Sequence, residues 1–141
     1  MAILDDVVSD RFVVELVWGR LGYFSNKLAS ESWIAGKDTP LYWSKAFPLA
    51  PEVIAKRKAS VHLTRSIQKQ YKQLLKEKLN FSGYLISELY PRRTRRATVV
   101  NWLLAWTAEF GEDLPAEGTL PKLLTPPSDP TKGHPGDHLI E

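Results

Sequence analysis

The chain has 141 residues, 43% hydrophobic and 25% charged with a net charge of +3, a balance typical of a single globular domain. Cysteine is absent from the sequence, which excludes disulfides, thiolate nucleophiles and zinc-thiolate sites. No apolar run reaches the ~18 residues of a membrane span, and the acidic start Met1-Ala2-Ile3-Leu4-Asp5-Asp6 is unlike a secretory signal, so we expect a cytoplasmic protein.

The first predicted helix covers Asp10 to about Ser30. Its apolar residues recur at three- and four-residue spacing, which is typical of a helix with one buried face. They are Val13, Leu16, Val17, Leu21, Phe24 and Leu28. Gly19 and Gly22 each weaken such a helix by about 1 kcal/mol relative to alanine. Because β-branched residues follow Phe12, a strand over Phe12–Trp18 is the alternative.

The second predicted helix begins at Pro51, which suits the first helical position, and runs to about Asn80. A loop and an aromatic stretch containing Tyr42 and Trp43 precede it. Its apolar face carries Leu63, Ile67, Tyr71 and Leu74. Its opposite face carries Lys58, His62, Arg65, Lys69, Lys72 and Lys76. This separation predicts a long amphipathic helix with a basic, exposed side.

Two further helices are predicted before residue 111. Ser82 can cap a short helix that ends by Leu89, with a strand over Tyr84–Leu89 as the alternative. The last helix begins near Thr94 and stops at Gly111, a suitable C-terminal cap. Its inward side carries Val99, Leu103, Trp106 and Phe110, with Trp102 adjacent.

Residues 111–141 form a predicted tail that contains six of the ten prolines and four of the eight glycines. This composition favours an extended chain that is disordered in isolation. The predicted architecture is therefore an all-α domain of about four helices in a small bundle over residues 1–110, followed by a Pro/Gly-rich tail. An α+β fold that uses one or two of the strands named above is the alternative.

Positive charge is concentrated in the middle of the chain. Residues 56–96 contain twelve basic residues and only two acidic ones, Glu77 and Glu88. The densest part is the arginine cluster, which consists of Arg92, Arg93, Arg95 and Arg96. It lies where the helix dipole disfavours cations, so an anion must offset its charge. Guanidinium groups can bind an external phosphate or carboxylate, or they can pair with Glu88, Glu109 or acidic residues of the first helix. The scarcity of local carboxylates favours the external partner.

The candidate binding surface combines this cluster with the basic helix face and the loop aromatics. Its residues are Arg92, Arg93, Arg95, Arg96, Arg65, Lys69, Lys72, Lys76, Tyr42 and Trp43. Trp, Tyr and Arg are enriched where proteins bind one another. The alternatives are a solvated helix face for the lysines and a structural role over the bundle for the aromatic residues.

Catalytic motifs are absent: the sequence has no P-loop, no dinucleotide-binding glycine pattern, no His-Glu-x-x-His and no Gly-x-Ser-x-Gly. His134, Asp137 and His138 could bind a metal weakly, but a mobile tail would not preorganise them. We therefore expect no enzyme, no metal and no cofactor.

The leading hypothesis is a non-enzymatic adaptor or assembly factor that binds an acidic or extended segment of a partner protein. The alternative is a nucleic-acid-binding protein that uses the same basic patch on RNA or nonspecific DNA. The tail has six acidic and two basic residues. We expect it to compete with a nucleic acid for the patch, which favours the protein partner.

Overall fold

The computed structural model describes residues 2–26, 32–81, 83–84, 87, 89–110 and 122–141. Within these ranges, five α-helices, one 3-10 helix and two strands follow one another along the chain. They are α1 (Asp10–Arg20), β1 (Phe24–Asn26), β2 (Ser32–Ile34), α2 (Leu41–Ser44), α3 (Arg57–Ser66), the 3-10 helix (Lys69–Tyr71), α4 (Leu74–Leu79) and α5 (Pro91–Phe110). The chain is mostly helical, as predicted, with a small antiparallel sheet that neither predicted architecture placed at these residues. No helix in the described ranges has both the length and the apolar character needed to cross a bilayer.

Helix α1 begins with a side-chain cap, because Ser9 Oγ accepts a hydrogen bond from Phe12 N at 3.1 Å. It buries Val13, Val17 and Trp18, and it includes Phe12–Trp18, so the strand alternative for those residues is wrong. The helix ends about ten residues earlier than predicted. Gly22 adopts φ +84, a left-handed conformation that commonly terminates helices, and the chain then enters β1.

The two strands form a short hairpin in which Phe24 pairs with Ile34 and Asn26 pairs with Ser32. Trp33 of β2 packs against Trp18 of α1, with ring centroids 5.4 Å apart. The sheet therefore extends the core beside α1.

The single helix predicted over residues 51–80 is wrong, because α3, the 3-10 helix and α4 divide this segment. Asn101, a buried residue of α5, holds the second of the two breaks, between the 3-10 helix and α4. Its Oδ1 accepts from Leu75 N at 3.0 Å, and its Nδ2 donates to Tyr71 O at 3.1 Å. Ile67 is extended at φ −76 and ψ 123, so the main chain leaves the helical path before these bonds are made.

Helix α5 contacts α1, α3 and α4 and supplies much of the core. Pro91 occupies its first position, three residues before the predicted start, and the helix is described as far as Phe110, so the predicted stop at Gly111 lies outside the described residues. Val99, Trp102 and Leu103 are buried, whereas Phe110 is 57% exposed and does not belong to the inward stripe. The proposed short helix from Ser82 to Leu89 lies partly outside the described residues.

Residues 122–141 contain no helix or strand, yet they pack along the domain. Leu124 N donates to Val7 O at 2.7 Å, Glu141 N donates to Ala55 O at 2.6 Å, and Ile140 packs against the core. Residues 111–121 of the predicted tail lie outside the described part of the chain. The described part of the tail is thus integrated with the helices.

Candidate functional site

Two members of the arginine cluster lie in the interior, not on the predicted binding surface. Arg92 and Arg96 are 1% and 2% exposed. Arg92 Nη1 and Nη2 donate to the Asp6 carboxylate at 2.6 and 2.7 Å, and Arg92 Nε donates to Asp10 Oδ2 at 3.0 Å. Arg96 Nη1 donates to Asp10 Oδ1 at 2.6 Å. Because a buried guanidinium without an anion is strongly unfavourable, these carboxylates account for the burial, and Arg92 and Arg96 are not available to an external ligand.

The charges of this buried cluster reinforce one another. Burial raises the pKa of Asp6, but the hydrogen bond from Arg92 and the charges of Arg96, Arg92 and His134 outweigh burial and hold the pKa below its ordinary value of 3.8. Burial lowers the pKa of Arg92, but the carboxylates of Asp6 and Asp10 raise it above its usual range. Both partners are therefore ionised at neutral pH, as an ion pair requires.

Residues of the tail complete the cluster. Asp137 Oδ2 accepts from Asp10 N at 3.0 Å and from His134 N at 2.8 Å, and Asp137 Oδ1 accepts from Arg11 N at 3.2 Å. His134 is 6% exposed, and its Nε2 donates to Thr125 O at 3.0 Å. The Asp137 carboxylate thus caps the beginning of α1 and attaches the tail to this helix. Across the described ranges, no three carboxylate or imidazole groups are arranged to hold a metal ion.

Arg95 and Arg93 have different surroundings from their neighbours. Arg95 is 9% exposed, and its Nη1 donates to Ile54 O at 2.9 Å and Ala55 O at 3.3 Å. Burial and the nearby charge of Arg57 lower the pKa of Arg95. Arg93 lies over the rings of Tyr84 and Tyr90, 5.1 and 4.9 Å from their centroids. The four arginines therefore do not form one anion site.

Arg95 borders a depression of about 650 Å³ between α3 and the beginning of α5. Arg57, Val61, Leu89 and Thr98 also line it. Thr98 is shared with a second depression of about 500 Å³, which Lys72 and Lys76 border. We call the two adjoining depressions the α3–α5 groove. Every charged residue that lines it within the described ranges is a cation: Arg57, Arg95, Lys72 and Lys76.

Tyr42, Trp43 and Arg65 are brought together elsewhere, in a depression of about 340 Å³ beside Trp106 and Phe110. Trp43 is 3% exposed and belongs to the core, which corrects its predicted place on the binding surface. Tyr42 is half-exposed, and Arg65 is exposed at the end of α3.

His62 was expected on the solvated helix face, but it stacks on Tyr42 with ring centroids 3.9 Å apart. Burial lowers the pKa of His62, the hydrogen bond to the Tyr42 carbonyl opposes this, and the charges of Arg65 and Lys58 add to the lowering. Its imidazole is therefore part of the aromatic packing.

The structure thus divides the predicted site residues among several places. The groove gathers Arg95, Lys72 and Lys76, while Lys69 is exposed on the 3-10 helix. Glu109, one of the carboxylates that could have paired with the arginine cluster, accepts a hydrogen bond from Gln68 instead, and Glu88 lies outside the described residues.

Sequence reasoning counted Arg57 in the basic block but did not place it in the site, because nothing in the local pattern distinguishes it from Lys56 or Lys58. It also missed Asp6, a buried partner of Arg92 that is far from it in sequence, and the role of Asp137 as a cap of α1. The available signal was the group of aspartates at the start of the chain, Asp5, Asp6 and Asp10, which could have been matched to the arginine cluster.

A family model described as "Domain of unknown function (DUF1823)" matches residues 1–108. No curated protein matches the chain. A solved structure described as "Solution NMR structure of the protein" is similar to it, with 48% sequence identity and a TM-score of 0.66. That similarity covers 79% of this chain and 91% of the other. Residues 1–108, which the family model matches, contain the α3–α5 groove and the cluster of Asp6, Asp10, Arg92 and Arg96. Residues 122–141 lie beyond this match.

Proposed function

The chain belongs to the family described as a domain of unknown function, DUF1823, and we propose that it is a non-enzymatic adaptor or assembly factor. In this proposal it binds an acidic, extended segment of a partner protein in the α3–α5 groove. The observation that carries the proposal is that the charged residues lining the groove, among those the structure describes, all have the same sign: Arg57, Arg95, Lys72 and Lys76. A surface with one sign of charge attracts a ligand of the opposite sign.

The dimensions of the groove suit an extended peptide. From Pro91 to Asn101, both of which line it, α5 rises roughly 15 Å at ~1.5 Å per residue. That length corresponds to about five residues of extended chain at ~3.3 Å each. The groove therefore accommodates a short linear segment.

Apolar side chains favour a peptide over a nucleic-acid backbone. Val61 and Leu89 are 37% and 53% exposed at the same depression as Arg57 and Arg95. Such residues bury the apolar side chains of a peptide, whereas a phosphodiester backbone offers them little to contact. A partner segment that alternates acidic and apolar residues fits this lining best.

The experiment compares two variants with the same change in net charge. The groove variant carries Arg57→Glu, Lys72→Glu and Lys76→Glu, and the control variant carries Lys37→Glu, Lys45→Glu and Lys122→Glu. All six side chains are exposed, so we expect both variants to fold, which circular dichroism verifies. Arg92 and Arg96 are left unchanged in both variants, since both are buried.

The probes are an acetylated peptide of about eight alternating Glu and Leu residues, long enough to span the groove, and a thymidine oligonucleotide. Amide NMR titration should show peptide-induced shifts at Thr94, Thr98 and Asn101 in the natural chain and the control variant. The groove variant should lose them. Equal loss in both variants would indicate unspecific charge attraction and contradict the proposal. Binding of the oligonucleotide alone, with steep salt dependence, would replace the proposal with nucleic-acid recognition.

A further inference from the structure

One end of the α3–α5 groove carries two guanidinium groups without a carboxylate partner among the described residues. Arg57 and Arg95 both line the depression of about 650 Å³. Arg95 is about nine-tenths buried, and the hydrogen bonds that it makes to described residues go to the carbonyls of Ile54 and Ala55. Arg57 is exposed at the first position of α3. Carbonyl acceptors satisfy hydrogen bonds but do not neutralise a positive charge.

Arg92 and Arg96 on the same helix have the carboxylate partners that Arg95 lacks among the described residues. Those two buried arginines face Asp6 and Asp10, which balance their charge. Arg95 instead faces Arg57, whose charge adds to the cost of burial. A buried cation is strongly disfavoured unless an anion accompanies it. The groove supplies the space in which an anion from outside can approach both guanidinium groups.

The beginning of α5 adds to the same electrostatic field. Pro91, its first residue, lines the depression, and its first turn contains no acidic residue. The positive end of the helix dipole therefore acts on the same space as the two arginines. Together these features favour a ligand with more than one negative charge.

Resting on the function proposed above, we infer that the bound segment carries a phosphorylated side chain between Arg57 and Arg95. A phosphomonoester carries a charge of about −1.5 to −2 at neutral pH and has three strong acceptor oxygens. Its charge can therefore balance most of the charge of two guanidinium groups, whereas a carboxylate balances only one. Lys72 and Lys76, at the other depression, then pair with acidic residues further along the segment.

The test uses three peptides that differ at a single position, which is serine, phosphoserine or glutamate within the same Glu/Leu background. Fluorescence anisotropy measures their dissociation constants at one salt concentration. We expect the phosphoserine peptide to bind at least about tenfold more tightly than the serine peptide, with the glutamate peptide between them. Inorganic phosphate serves as the competitor that represents a free anion.

Arg57→Gln is the informative variant, because Arg57 is exposed and its loss should not disturb the fold. It should abolish most of the preference for phosphoserine. Lys58→Gln is the matched control: this neighbouring exposed residue lies near the Phe47 ring, 5.9 Å from its centroid, and should leave the preference unchanged. Arg95→Gln is a poorer test, since it also removes hydrogen bonds to Ile54 and Ala55.

Three outcomes would overturn the inference. Equal affinity for the serine and phosphoserine peptides would refute it and leave the proposed function standing. Competition by inorganic phosphate as strong as by the phosphopeptide would show a site for a free oxyanion. Failure of all three peptides to bind would refute the proposed function as well.

Discussion

Asp10 bonds to two arginines that are one helical turn apart. Its Oδ1 is 2.6 Å from Arg96 Nη1, and its carboxylate also accepts from Arg92 Nε. Residues at i and i+4 share a helix face, so one carboxylate on α1 can reach both. Asp6 adopts φ 59, a left-handed conformation that aspartate tolerates better than most residues, and pairs with the other side of Arg92. These bonds account for the burial of Arg92 and Arg96, whereas Arg95 is buried against main-chain carbonyls.

The lowered pKa of Asp6 predicts a loss of stability in acid. Since the pKa of Asp6 in the folded chain lies below 3.8, its contribution is fully present above that pH. The contribution disappears as pH falls through the folded-state value, because the unfolded chain binds the proton first. The free energy of unfolding, measured with urea at neutral and acidic pH, should therefore fall less in Asp6→Asn than in the natural chain. For each protein, the fall is measured from its own free energy of unfolding at neutral pH. An equal fall in both proteins would contradict the lowered pKa of Asp6.

At the scale of elements, α5 determines the path of the segment beside it. The side chain of Asn101 bonds to main-chain groups on both sides of the turn between the 3-10 helix and α4. This turn places Lys72 and Lys76 at the groove. One buried amide on α5 therefore shapes one end of the proposed binding site.

Asn101→Ala should destabilise the chain and loosen this turn. It leaves Leu75 N and Tyr71 O without their side-chain partners, and a buried unsatisfied group costs about 1–3 kcal/mol. Urea unfolding should show a loss in this range, and hydrogen exchange should accelerate at the Leu75 amide. Gln73→Ala is the control: Gln73 is exposed and makes no side-chain cap bond, so we expect a change within about 0.5 kcal/mol. Unchanged exchange at Leu75 in Asn101→Ala would refute this role.

At the scale of the whole molecule, residues 122–141 join segments that are far apart in sequence. Asp137 caps α1, and Pro130 O accepts from Arg92 Nη1 at 3.2 Å. Glu141 forms an ion pair with Lys56 at 2.6 Å. Close packing at Gly133 makes this arrangement possible, because a Cβ there would lie 2.5 Å from Asp137 Oδ2 and 2.8 Å from Asp10 Oδ2.

Gly133→Ala should therefore displace the described part of the tail from α1. We expect faster proteolytic cleavage within residues 122–141 and a loss of about 1–3 kcal/mol in the free energy of unfolding, as is typical of overpacking. Gly19→Ala is the matched control, since a Cβ at Gly19 meets no atom within 4 Å. That helical position should be neutral or gain up to about 1 kcal/mol. Equal cleavage of the two variants would show that Gly133 does not control docking.

Local patterns predicted α5 well and the charge partners poorly. The apolar period predicted α5 over most of its length, because this signal lies within the helix itself. The predicted helix over residues 51–80 failed, since the main chain is already extended at Ile67 and Asn101, 26 to 30 residues away from its partners, holds the later turn before α4. The arginine cluster appeared unneutralised because its carboxylates are 82 to 86 residues away. Only the fold brings Arg57 and Arg95 to one groove.

The buried charge cluster also bears on the kinetics of folding. Helix-rich chains commonly fold fast, because most of their contacts are local in sequence. Here, Arg92 pairs with residues up to 86 positions away, and Asp137 caps a helix that begins 127 positions earlier. Closing such long loops costs entropy before the contacts repay it. Because burial of Arg92 and Arg96 is costly without Asp6 and Asp10, we expect the docking of α1 and the docking of α5 to be coupled during folding.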